Sequence, residues 1–209
     1  MALRDFTHQF VAAEGGSETT LVLLHGTGGD EHDLLPLGRA LHPAAALLSP
    51  RGRVLEGSMP RFFRRFAEGR FDLEDVRVRA AELSAFLDDA AASYGLARGR
   101  MVAVGYSNGA NIANAAMLLH PDCFAGAALL HAQFVLAPDP LPSLEGRAVF
   151  LAGGEADPIV PIAEARRLAD LLTAAGASVT PFWSPGGHAL SREDVAHAKA
   201  WLNSAGFAS

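Results

Sequence analysis

Short apolar runs recur along this chain, each separated from the next by a longer stretch with helical spacing. TTLVLLHG (Thr19–Gly26), AAALLSP (Ala44–Pro50), Met101–Tyr106, Gly126–His131, Arg147–Leu151 and Ser178–Trp183 read as strands. Glu31–Leu41 (bent at Pro36), Asp75–Leu96, Asn108–His120, Pro161–Ala175 and Ser191–Ala205 read as helices. A strand apolar on both sides needs cover on both sides, and alternation with helices supplies it. The order therefore predicts an α/β fold: a mostly parallel central sheet with helices on both faces. Phe6–Ala12 alternates and is expected to add an edge strand. Arg51 to about Leu73 is expected to be irregular, and Gln133–Gly146 a proline-rich connection. The length suits one domain, residues 1–209. Ligands of such sheets bind outside the carboxyl ends of the strands. The loops after Leu24, Pro50, Tyr106, His131, Leu151 and Trp183 should then share one rim.

The composition narrows the partners. The net charge is −6, and no run of Lys and Arg is long enough to track phosphates, so neither nucleic acid nor an anionic membrane is expected. No apolar stretch reaches the roughly 20 residues that span a bilayer. MALRDFTHQF lacks the apolar centre of a signal peptide, and a single cysteine, Cys123, forbids an intrachain disulfide. These features fit a cytoplasmic protein without membrane insertion, and they are compatible with a homodimer.

One strand runs into the pentapeptide GYSNG (Gly105–Gly109), a match to G-x-S-x-G. Composition alone produces that pattern in roughly one such chain in eight, so context decides. Here a strand precedes it and a helix pattern follows, as a nucleophile elbow requires. The turn is sharp, the flanking glycines avoid collisions, and Ser107 Oγ would stand at a helix N-terminus that favours negative charge. A hydroxyl needs a base, and the base an orienting acid, in the chain order Ser, Asp or Glu, His. LAGGEADPIV places Asp157 in one rim loop and PFWSPGGHAL places His188 in another. Glu155 is the alternative acid, but the Asp157-Pro158 step, extended just before a helix, favours Asp157. His131 also leaves a rim strand and is expected to border the pocket, although it precedes the acid and so stands in the wrong order for the base. His197 and His120 are read as a surface residue and a helix-end residue.

Attack on a carbonyl needs N–H donors for the oxyanion. One is expected from Asn108, after the nucleophile, and the second from Thr27 in LLHGTGGDEHDLL, whose glycines allow close backbone approach. The rival reading of that loop is a metal site of His25, Asp30, His32 and Asp33. Acids at a helix start explain Asp30–Asp33 without a metal.

Taken together, LLHGTGGDEHDLLPL, SPRGRVLEGSMPRFFRRFAEG and VGYSNGANIA resemble the α/β-hydrolase fold, and within it the phospholipase/carboxylesterase group, relatives of dienelactone hydrolase and acyl-protein thioesterase. They are most similar to the MhqD-like carboxylesterases, a subgroup linked to quinone stress. The resemblance runs from about Thr20 to Leu202. It implies Ser107, Asp157 and His188 as nucleophile, acid and base, Thr27 and Asn108 as oxyanion donors, a minimal lid, and no metal or organic cofactor. Dienelactone hydrolase uses cysteine at the elbow; here the residue is Ser107. The expected activity is that of a serine carboxylesterase on small to medium esters. Alternatives are a thioesterase or lysophospholipase with the same triad, or a ligand-binding sensor on a hydrolase scaffold. PRFFRRF leaves two readings open. It forms either a short amphipathic helix, or a pocket wall in which Phe62, Phe63 or Phe66 line the site while Arg51 or Arg64 meets a substrate carboxylate. Met59 is read as pocket lining or core filler.

Overall fold

A computed structural model describes residues 6–207. Seven strands form one sheet: β1 (His8–Val11), β2 (Thr20–Leu24), β3 (Ala46–Pro50), β8 (Met101–Tyr106), β9 (Gly126–Leu130), β10 (Ala148–Gly154) and β11 (Ser178–Ser184). Their spatial order is β1-β3-β2-β8-β9-β10-β11. All neighbours run parallel except β1, which pairs antiparallel with β3 along its edge, His8 opposite Pro50. β2, β3 and β9 are buried at every position, which is why their sequences show no alternation.

The helices divide between the two faces. α2 (Leu73–Tyr94) and α3 (Asn108–Leu119) pack together on one face, joined there by Leu168 and Leu172 of α4 (Ile162–Ala174). α1 (Leu35–Leu41) and α5 (Arg192–Ser204) cover the other. Leu83, Phe86 and Leu87, spaced to share a face, carry α2 into the core. Asp72 caps its N-terminus, accepting from Asp75 N–H, and Gly95 ends it in the left-handed conformation at φ 66°. α5 opens with a capping box between Ser191 and Asp194.

Two expectations need correction. The helix expected from Glu31 begins only at Leu35, with Pro36 in its first turn, where a missing N–H costs nothing. Asp30 and Asp33 serve a turn instead: Asp30 Oδ1 accepts from His32 N–H at 2.8 Å, and Asp33 Oδ2 from Asp30 N–H at 3.3 Å. The stretch after β3 is not irregular. It folds into two antiparallel ribbons, β4 (Val54–Glu56) with β5 (Met59–Arg61), and β6 (Arg65–Ala67) with β7 (Arg70–Phe71). PRFFRRF therefore forms no helix.

Candidate active site

At the end of β8 the chain turns into α3 through Ser107, which holds φ 51° and ψ −115°. A left-handed φ at a residue bearing a side chain stores about 1–3 kcal/mol of strain. The glycines on either side are demanded by contact. A Cβ on Gly109 would lie 1.8 Å from the Leu24 carbonyl oxygen, and one on Gly105 would lie 2.6 Å from the Ala110 backbone. β2 and α3 are thus pressed together, and the serine is lifted above the sheet's carboxyl edge.

Three side chains from distant parts of the chain meet there. Ser107 Oγ lies 2.9 Å from His188 Nε2, and His188 Nδ1 lies 2.7 Å from Asp157 Oδ2. Asp157 Oδ1 accepts from the N–H groups of Ile159 and Val160 at 2.8 and 3.0 Å, which orients the carboxylate. Burial alone would push this carboxyl up. The donors Val160 N–H, His188 and Ile159 N–H more than offset it, so the group stays below its ordinary range. Glu155 points away to pair with Arg166 at 3.2 Å. Tyr106 O–H donates to the His188 carbonyl at 2.9 Å and fixes the loop that carries the imidazole.

A cavity of about 300 Å³ opens over Ser107, lined by Thr27, Asn108 and His188 among others. Asn108 is the first residue of α3, so its N–H has no acceptor within the helix. The Thr27 loop is bolted down from three sides. Gly28 N–H donates to the Pro60 carbonyl at 2.9 Å, and Arg61 Nη1 donates to Thr27 Oγ1 at 2.6 Å. His25 accepts from Gly52 N–H at 2.9 Å through Nε2 and meets the Gly26 carbonyl at 2.7 Å through Nδ1. Both ring nitrogens of His25 are thereby used within the protein, which removes it from the metal quartet considered above. Burial lowers its pKa and keeps it neutral. Among the described residues, a set of potential metal ligands falls at His131, Asp157 and His188, whose ligand atoms lie within 4.8 Å of one another.

The profile of the phospholipase/carboxylesterase family matches residues 7–205. This chain belongs to that family. It is 45% identical over 192 residues to MhqD of Bacillus subtilis, covering 92% of this chain and 96% of that protein. The structure superposes on the Bacillus cereus carboxylesterase with a TM-score of 0.94 and 46% identity, covering 97% of this chain and 95% of the other. A carboxylesterase from Mesorhizobium loti matches at TM-score 0.89 and 34% identity, over 95% and 94% of the two chains. The chain is accordingly an enzyme of the hydrolase class with the α/β-hydrolase fold.

Four residues expected to touch substrate stand elsewhere in this family member. Arg51 is held by Glu31, with Nη2 donating to Oε1 at 2.8 Å and Nε to Oε2, and it does not line the cavity. Phe62 and Phe63 are buried in the core under α2, and Phe62 N–H donates to Asn108 Oδ1 at 2.8 Å. His131 lies fully buried behind Asp157, its Nδ1 3.5 Å from Asp157 Oδ2 and its Nε2 3.4 Å from Asp194 Oδ2. It borders the acid and not the pocket. Phe66 is exposed, while Met59 does line the cavity. Arg61, Arg65, Phe71, Gln133 and Ile159, which the sequence did not single out, complete the wall. Cys123 is buried and its thiol is pushed up to about 11, so it is no rival nucleophile.

Proposed function

We propose that this protein is a serine carboxylesterase that works through an acyl-enzyme on small to medium esters. The observation that carries the reading is the unbroken hydrogen-bonded line from Ser107 through His188 to Asp157. His188 Nε2 takes the Ser107 proton as Oγ attacks the ester carbonyl. The carbonyl oxygen becomes an oxyanion, received by the N–H groups of Thr27 and Asn108, each contributing about 3–4 kcal/mol. Collapse breaks the ester bond, and His188 returns its proton to the departing alcohol. Water, deprotonated by His188, attacks the acyl carbon. A second collapse releases the carboxylic acid and restores the serine. Asp157 holds the tautomer with a proton on Nδ1 and stabilises the imidazolium that forms in each step.

Ser107→Ala should lower kcat on p-nitrophenyl butyrate by about 10⁴–10⁶-fold with an unchanged circular dichroism spectrum. Turnover within tenfold of the parent would overturn the reading. A fluorophosphonate should label the folded protein at Ser107, whereas a ligand-binding protein on this scaffold would form no adduct there. Thioesters use the same machinery, and matched oxygen and sulfur esters separate the two activities by kcat/KM.

A further inference from the structure

The wall of the Ser107 cavity carries two guanidinium groups, Arg61 and Arg65, which share the carboxylate of Glu56 from outside the cavity. Arg61 is 2% exposed, and among the described residues its ion-pair partner is Glu56, at 3.2 Å. Its other contacts are neutral: Thr27 Oγ1 accepts from Nη1 at 2.6 Å and the Phe63 carbonyl accepts from Nε at 3.3 Å. Glu56 is already gripped by Arg65, whose Nε and Nη2 donate to Oε2 and Oε1 at 2.9 and 3.0 Å. One carboxylate therefore serves two cations. It does not line the cavity, while both arginines do. The remaining acid on this wall, Glu68, is half exposed near the tip of the β6–β7 ribbon and pairs with Arg65 Nη1. Burial first, and the like charge of Arg65 second, make the Arg61 cation costly to hold. An anion entering the cavity would relieve both costs, and the planar forks of arginine suit a carboxylate.

We infer that Arg61 and Arg65 form a subsite for a substrate carboxylate, so that the preferred substrates are short esters carrying a free carboxylate a few bonds from the scissile carbonyl. This rests on the serine esterase reading above and adds the substrate class. Glu68 occupies Arg65 when the site is empty and is displaced on binding. Arg61 also steadies Thr27, so the cation that recognises the substrate's far end braces the loop assigned to the oxyanion.

The test compares mono-p-nitrophenyl glutarate with p-nitrophenyl valerate, which differ only in a terminal carboxylate against a methyl group. The parent enzyme should favour the glutarate by about tenfold or more in kcat/KM, and added salt should shrink that preference. Arg65→Gln should cut the glutarate-to-valerate ratio about tenfold. Glu68→Gln should raise it several-fold, a gain that misfolding cannot mimic. A ratio unmoved by both substitutions, in enzyme that still hydrolyses the valerate, would overturn the subsite and leave the esterase standing. No turnover of either ester by the folded parent would overturn both.

Discussion

In the proposed mechanism Asp157 and His188 divide one task. The carboxylate is buried and anchored by two backbone N–H groups, so it presents Oδ2 to the imidazole in a fixed direction. Asp157→Asn keeps the shape but offers an amide that stabilises the wrong tautomer. It should lower kcat by about 10⁴-fold, measured on p-nitrophenyl butyrate, with KM little changed. At Gly109 the expected sign opposes helix propensity. Glycine to alanine inside a helix ordinarily gains up to about 1 kcal/mol. Here the new methyl would drive into the Leu24 carbonyl, so Gly109→Ala should lose about 3 kcal/mol or more in urea unfolding. A stabilised variant would show that strand and helix are not in contact. At this scale the meeting of Ser107, Asp157 and His188 was legible because each lies in a loop that leaves a strand at one rim of the sheet. The cations were not. Arg51 sits at a rim position, but its partner Glu31 is 20 residues away, and nothing local signals the pair. Arg61 looked like any arginine in a charged stretch. Its burial depends on ribbon packing that no periodicity reports.

Among the elements, the long buried strands and the amphipathic helices matched their periodicities, with ends displaced by a few residues. The ribbons between β3 and α2 escaped because their strands are two or three residues long, too short to alternate visibly. Phe62 and Phe63 then follow one another into the core, and with Phe66 at i+4 and i+3 their sequence spacing imitates a helix face. α5 offers a graded test of its own start. Ser191→Ala removes one side of the capping box and should cost about 1 kcal/mol. Asp194 accepts from Ser191 N–H at 2.8 Å and from Ser191 Oγ at 2.7 Å, and also faces His131. Asp194→Asn should therefore cost more, about 2–3 kcal/mol. Urea midpoints at constant slope would rank the two, and the reverse order would detach the helix cap from the buried histidine.

For the whole molecule, acidity acts in two stages. His25 and His42 are buried and hold their folded pKa below the ordinary imidazole value, burial being the largest cause for each. The unfolded chain then binds protons that the folded chain refuses, so stability present above pH ~6.5 is lost as the pH falls below it. Asp157 and Asp194 are also lowered, their donors outweighing burial. Their contribution is present above about pH 4 and drains away beneath it. The melting temperature should stay level between about pH 7 and 8, decline from about 6.5 toward 5, and drop again under 4. A level profile between pH 7 and 5 would mean that both imidazoles titrate as freely as in the unfolded chain. Among the described residues no helix is long and apolar enough to cross a membrane.

The awkward backbone at residue 107 implies that this chain folds in spite of the position at which the proposed reaction is centred. Ser107→Gly, free of that steric burden, should unfold at a higher urea concentration than Ser107→Ala. The variant without the proposed nucleophile would then be the sturdier one, and selection for durability alone would erase the hydroxyl on which the proposed reaction relies.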